Sequence, residues 1–330
     1  MKLILAHNYH TLIEAMKIKI KSDGRFYLIY VSETQPLSIK MKNFLTILGF
    51  DIIAIPEEFL EAKKKYNLVW FISPFFDFYI KFKKIELEIE FDNISEVLVF
   101  NDEEVIFRFL IDKIKSYILY QEGVANYLKF ENRNKFFHAI SQSVFSSIFK
   151  FPYLPLGRHY KCKKIIYTSK NEYAIPADIR EKVIFQSYEN NILNKYTAQL
   201  VEIFNINDDL SIYDCIILTQ PIEIYGLSSL EKLEIYRFIL DKLRCRYLSI
   251  AFKIHPRESL ELYKTIGVDV LGRYPVELIE EFNPKVNFYS LCSSGDLIKH
   301  KKIINDPVRF EMIFKTKDLD YITSNIDRSI

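Results

Sequence analysis

A chain of 330 residues exceeds one typical domain and has room for two. Its 49% hydrophobic and 27% charged residues exclude intrinsic disorder, and 45 Lys+Arg against 43 Asp+Glu leave a formal charge of +2, too balanced for a nucleic-acid protein. Only 8 glycines stand beside 27 Phe and 22 Tyr, and no G-x-G-x-x-G or G-x-x-x-x-G-K-[ST] occurs, so a nucleotide ligand would have to be held without a glycine-rich phosphate loop.

From the N-terminus, short apolar runs alternate with helical periodicity. Lys2–Ala6 reads as a strand, followed by a helix from about Thr11 to Lys21. Phe26–Val31 is a strand, Ser38 to Leu48 a helix, and Asp51–Ile55 a strand. Pro56-Glu57-Glu58 then suits the first turn of a helix, since proline needs no amide partner there and acids favour the dipole. Leu68–Ile72 and Glu96–Phe100 are further strands, the second running through Asn101-Asp102 into a helix to about Ile114, and Ser116–Tyr120 closes the series. Pro152, Pro155 and Gly157 mark a domain boundary, placing residues 1–155 in one domain and 156–330 in another.

Beyond that boundary the alternation resumes. Lys164–Thr168, Val183–Gln186, Cys215–Leu218 and Tyr247–Lys253 read as strands, with Asp269–Leu271 and Val286–Tyr289 as weaker ones. Ser228–Leu243 is an amphipathic helix, with Leu230, Leu233, Ile235, Tyr236, Ile239 and Leu243 near the 3.6 period. A helix is expected between Pro307 and Ile330. Strands separated by helices imply mostly parallel sheets covered on both faces, and paired α/β domains bind ligands at the carboxyl ends of their strands.

The four cysteines (Cys162, Cys215, Cys245, Cys292) form no C-x-x-C pair, and no signal peptide precedes the chain, which points to reduced thiols in a cytoplasmic protein. The most apolar stretch, Leu68 to Ile80, is interrupted by Pro74 and Asp77 and is too short to span a bilayer. Lys63-Lys64-Lys65 and Lys81 to Lys84, with interleaved aromatics, leave a membrane-surface contact open beside the plainer reading of solvated faces with snorkelling lysines.

Four strand ends carry polar residues of chemical interest. Tyr120-Gln121-Glu122-Gly123 places Glu122 at a sharp turn, either as a catalytic acid or as a carboxylate facing a helix dipole. Lys253-Ile254-His255-Pro256-Arg257-Glu258 brings a lysine and a proline-fixed histidine to one edge, suited to a phosphate or a leaving group; the alternative is an ordinary loop histidine with a salt-bridged Arg257. Ser290 to Asp296 offers Ser293 and Ser294 at a helix start, an anion site or a plain serine cap. Leu218-Thr219-Gln220-Pro221 reads most simply as a strand-to-loop turn.

The order of these elements resembles the bacterial sialyltransferases of glycosyltransferase family 52, the lipooligosaccharide sialyltransferases, and the related capsular polysialyltransferases. The resemblance rests on Gln121-Glu122-Gly123, His255-Pro256 and Ser293-Ser294, with Ala6-His7-Asn8-Tyr9-His10 and Tyr274-Pro275-Val276-Glu277 as further features. It implies an α/β fold of the GT-B type, two Rossmann-like domains facing across a central cleft. It also implies inverting, metal-independent transfer of sialic acid, or a related nonulosonic acid, from a CMP donor to a glycan acceptor. The CMP-sugar is a co-substrate, and no cofactor is expected. Glu122 would be the base and His255 the group that stabilises or protonates the departing phosphate. Lys253, Pro256, Gln220, Pro221, Glu277, Ser293 and Ser294 would bind the donor, and Asn8, Tyr9 and His10 would line the acceptor side. A peripheral contact with the inner face of the cytoplasmic membrane and a homodimer are compatible with the resemblance. The departure is Gln121, where the family usually has a second acid. Two alternatives stay open: another GT-B transferase with a CMP- or CDP-activated donor (Kdo or glycerophosphate), and a non-catalytic CMP-sugar-binding protein.

Overall fold

The computed structural model describes residues 1–31, 35–54, 89–102, 105–120, 156–167, 175–186, 191–292, 299–304 and 307–330. The strand expected at Leu68–Ile72 and the helix start at Pro56 lie outside these residues. The chain divides into two compact units, Met1–Tyr188 and Glu189–Ile330.

In the first unit, β1 (Lys2–Ala6), β2 (Phe26–Tyr30), β3 (Phe50–Ala54), β4 (Glu96–Val99), β5 (Tyr117–Tyr120), β6 (Cys162–Tyr167) and β7 (Val183–Phe185) form one parallel sheet. Their order, β3-β2-β1-β4-β5-β6-β7, reverses direction between β1 and β4. Such a reversal leaves a crevice at the carboxyl ends of the two strands. Helix α1 (Tyr9–Ile20) begins there, two residues before the expected Thr11, because Asn8 caps it: Thr11 N–H donates to Asn8 Oδ1 at 2.8 Å and Asn8 N–H to Thr11 Oγ1 at 3.1 Å. Leu12, Ile13, Ala15 and Met16 form its buried stripe. Helices α2 (Ile39–Ile47) and α3 (Val105–Leu110) follow β2 and β4.

The expected boundary at 155/156 is corrected to the end of the first unit at Tyr188. Strands β6 and β7 pair with β5 and with each other, so they extend the first sheet and do not open a second one. The Pro-Gly signal marks a turn inside this unit. Leu156 (φ 58°) and Gly157 (φ 78°) are left-handed, and both their N–H groups donate to the buried carboxylate of Asp102, at 2.6 and 2.8 Å. Tyr117 OH donates to the same carboxylate at 2.8 Å. A Cβ on Gly157 would lie 2.3 Å from Ile165 Cδ1, so glycine is required there.

The second unit has its own parallel sheet, β8 (Cys215–Leu218), β9 (Ile250–Lys253), β10 (Asp269–Leu271), β11 (Asn287–Ser290) and β12 (His300–Lys302), in the order β10-β9-β8-β11-β12. All residues of β8 and β9 are buried, as central strands covered on both faces require. Helix α4 (Thr197–Phe204) precedes the sheet, and α5 (Ser229–Arg244) connects β8 to β9. Ser228 and Glu231 form a capping box at the start of α5, and Leu233, Ile235, Tyr236, Ile239, Leu240 and Leu243 pack inward. Leu230, expected on that stripe, is 73% exposed. The chain continues through α6 (Leu260–Tyr263), α7 (Val276–Phe282), α8 (Pro307–Lys315) and α9 (Leu319–Asp327). The tail is thus two helices, separated where Lys317 turns left-handed (φ 58°) and Asp318 caps α9. Strand β12 and helices α4 and α7 were not anticipated from the sequence.

Candidate functional site

Parallel register places Leu218, Lys253, Leu271, Ser290 and Lys302 in one row at the carboxyl edge of the second sheet. The sheet reverses direction between β8 and β11, so a crevice is expected where Thr219-Gln220 and Leu291-Cys292 leave those strands. The exit of β9, carrying His255, flanks it on one side. Three of the four strand ends singled out above therefore converge on one edge. Ser293 and Ser294, which continue the β11 exit in sequence, lie outside the described residues, as does Glu122 after β5.

His255 is held from several directions. Its N–H donates to Thr219 Oγ1 at 3.0 Å and to Glu258 Oε2 at 3.2 Å, and its carbonyl accepts from Glu258 N–H at 2.9 Å. Its ring Nδ1 accepts the Arg257 N–H at 3.2 Å. Burial pushes the imidazole below its ordinary pKa of 6.5, against the opposing pull of Glu258 and with help from Arg257, Lys232 and Lys253. Burial thus favours the neutral ring. With Nδ1 acting as acceptor, the proton sits on Nε2, which is a hydrogen-bond donor.

Behind this loop lies a buried ionic cluster. The Glu258 carboxylate accepts from the hydroxyls of Thr219 and Tyr263 (2.9 Å for the latter) and pairs with the ammonium of Lys232. Lys232 is completely buried and also reaches Glu223 at 2.7 Å. Removing one partner of a buried pair leaves an uncompensated charge in the interior. Lys232→Ala is accordingly expected to destabilise the protein by about 3–5 kcal/mol in chemical denaturation; a loss below about 1 kcal/mol would contradict this account of the cluster.

Lys253, the last residue of β9, is 7% exposed, and its ammonium lies 5.2 Å from the centre of the Tyr274 ring. Burial lowers its pKa to about 8, although Glu277 and Asp208 favour the charged form; Arg273 acts with burial. Asp208 organises the β10 exit by accepting from Tyr274 OH at 2.6 Å and Gly272 N–H at 3.1 Å. Glu277 is buried in the first turn of α7, just after Pro275.

Gln220 braces the crevice. Its side-chain carbonyl accepts the Cys292 N–H at 2.7 Å, joining the β8 and β11 exits, and its own N–H donates to Tyr236 Oη at 2.7 Å. Pro221 is half-buried beside it, whereas Pro256 is exposed after His255. A cavity of about 790 Å³ opens next to Pro221, lined also by Glu223, Lys232, Arg237, Arg257 and Glu258.

In the first unit, the described bonds of Asn8 and Tyr9 close the start of α1. Asn8 caps the helix, while Tyr9 N–H donates to Gln35 Oε1 at 2.7 Å and Tyr9 OH to the Pro36 carbonyl at 3.1 Å. His10 is half-buried on the first turn. Asn8, Tyr9 and His10 stand at the exit of β1, beside the direction reversal of the first sheet.

Sequence reasoning missed Lys232, and it gave no role to Thr219 or Glu258 although both stand inside the motifs singled out above. A carboxylate three residues after His255 was the available signal, because that spacing lets Glu258 cap the turn. Among the described residues, no three His, Cys, Asp or Glu side chains are grouped to hold a metal ion, and no helix is long and apolar enough to cross a membrane.

Three comparisons bear on these observations. The sequence profile of glycosyltransferase family 52 matches residues 52–305. No curated protein matches the chain. Among solved structures, a 2,6-sialyltransferase of Photobacterium sp. JT-ISH-224, in a ternary complex with CMP and lactose, is similar with a TM-score of 0.52 at 10% identity, over 98% of this chain and 77% of that one. A glycosyltransferase from Rickettsia africae (TM-score 0.45, 11% identity) and the glycosyltransferase of kitacinnamycin (0.46, 8%) each match over 99% of this chain and 92% of their own. At 10% identity, the first likeness is one of fold.

Proposed function

The chain belongs to glycosyltransferase family 52, and from that premise we propose that it transfers sialic acid, or a related nonulosonic acid, from a CMP donor to a hydroxyl of a surface glycan such as lipooligosaccharide or capsule. The observation that carries this reading is the His255 ring beside the direction reversal of the second sheet, with Nδ1 taking the Arg257 N–H so that Nε2 is left as the ring's donor. The sialyltransferase likeness, whose donor product is CMP, supports the choice of donor.

In this mechanism Glu122 accepts the proton of the acceptor hydroxyl as its oxygen attacks the anomeric carbon. The bond from that carbon to the phosphate oxygen breaks, its electron pair leaves with CMP, and the configuration inverts in one displacement. His255 donates a hydrogen bond from Nε2 to the departing phosphate. It need not give up its proton, since a phosphate monoester loses its second proton near a pKa of about 6 and leaves as the dianion at neutral pH. Lys253 adds positive charge, and Ser293 and Ser294 contribute hydroxyl and backbone N–H groups. These donors neutralise the leaving group without calling for a metal. Glu277 binds ribose hydroxyls or the cytosine amine, Gln220, Pro221 and Pro256 shape the donor side, and Asn8, Tyr9 and His10 line the acceptor side.

The depressed pKa of Lys253 gives this reading a pH signature. The ammonium is charged below about pH 8 and neutral above it, so its contact with the donor is present at neutral pH and lost as pH rises. For the donor, kcat/KM is expected to fall about tenfold between roughly pH 7 and pH 10, the size of one charge-assisted hydrogen bond. A flat profile over that range removes Lys253 from the donor site. The reading as a whole is tested by incubating the protein, with a chelator present, with CMP-sialic acid and a galactoside and following the sialylated product. Nucleotide binding without product would make this a binding protein.

A further inference from the structure

We propose that Thr219 and Glu258 are positioning residues for the transfer reaction, acting through the main chain of His255; this rests on the role given to His255 above. The strand order sets it up. Strand β8 lies directly beside β9, so the first residue past β8 is level with the chain leaving β9. Thr219 N–H donates to the Lys253 carbonyl at 3.0 Å, which continues the ladder one step beyond the strands. The next link passes through side chains: the Thr219 hydroxyl accepts the His255 N–H and donates to Glu258 Oε2, and that same oxygen also accepts the His255 N–H. Two acceptors, one from each loop, thus converge on one backbone N–H.

The other carboxylate oxygen, Oε1, is engaged by Tyr263 OH and Lys232. Each oxygen has a separate task, one on the His255 side and one on the interior side. A buried ion pair adds little net stability over apolar residues of equal volume. The surrounding interior is already filled by Tyr236, Phe252 and Tyr263, packed ring against ring at 5.7–5.9 Å. What the cluster supplies beyond packing is a fixed direction for the chain at residue 255. Because the Arg257 N–H bonds Nδ1 of the ring, fixing the turn from residue 255 to 258 also fixes the tautomer and aims Nε2.

Two variants test this. Thr219→Val keeps the shape but removes the hydroxyl, and leaves the Lys232–Glu258 pair in place. Glu258→Gln keeps the volume but leaves one acceptor oxygen where two are needed. In protein labelled with ¹⁵N-histidine, the Nε2–H tautomer of His255 is expected to give way to a mixture in both variants, while His159 keeps its wild-type signals. Each variant is expected to lower kcat by about tenfold or more, the scale of a displaced catalytic group, with little change in donor KM. Thr219→Ser should restore both signals and rate. In a His255→Ala background, adding Thr219→Val should change kcat less than about twofold, since coupled residues are not additive.

An unchanged His255 spectrum in both variants overturns the positioning role, and so does an equal further loss of rate in the His255→Ala background. If His255→Ala alone keeps wild-type activity, the functional reading fails, and the spectrum still reports whether the clamp exists.

Discussion

His255→Ala is expected to lower kcat for transfer from CMP-sialic acid by at least about 10²-fold, while the chain keeps a melting temperature close to wild type. The size follows from what the imidazole does. In the proposed mechanism its Nε2–H meets charge that develops on the phosphate only as the glycosidic bond breaks, so its loss should appear in kcat more than in KM. Stability is spared because alanine retains the backbone N–H and carbonyl bonds of residue 255 and loses only the ring acceptor of the N–H of Arg257, an exposed residue. His255→Gln is a useful companion, since its amide can donate a hydrogen bond and should recover part of the loss. A variant that keeps more than about a tenth of the wild-type rate shows that the leaving group is stabilised elsewhere.

Glu122→Gln is expected to produce a loss of similar or larger size, about 10²–10⁴-fold in kcat. The amide matches the carboxylate in shape and cannot take a proton, so the acceptor hydroxyl must attack without a base. Gln121, the residue before it, is also an amide and cannot substitute. In the proposed mechanism the base touches the acceptor, so donor KM should stay near wild type, which separates this variant from a folding defect. If Glu122→Gln transfers at more than about a tenth of the wild-type rate, the base is another group.

Much of the second sheet was legible because β8 and β9 are wholly buried and read as continuous apolar runs. Strand β12 was not: its residues His300, Lys301 and Lys302 are polar, and it sits at the sheet edge. The domain boundary was misplaced for a related reason. Gly157 does stand in a turn, but whether the following strand joins the old sheet or a new one depends on its pairing with β5, which local composition does not record. The site divides the same way. His255 stood out because Pro256 follows it at a strand end, whereas Thr219 meets it from 36 residues away and meets Glu258 from 39 residues away, a convergence that only the fold creates. Gln220 shows a different limit, since its bond to Cys292 N–H spans 72 residues and gives a bracing part to a residue expected only to shape the donor side.

The central claim is the donor, and a panel of CMP-activated sugars offered with a galactoside acceptor tests it most directly, scored for both CMP release and transfer. Turnover of CMP-sialic acid, or of a CMP-activated relative with the same nine-carbon acid, is the predicted result, and CMP-Kdo should remain intact. Cleavage of CMP-Kdo with CMP-sialic acid untouched would contradict it.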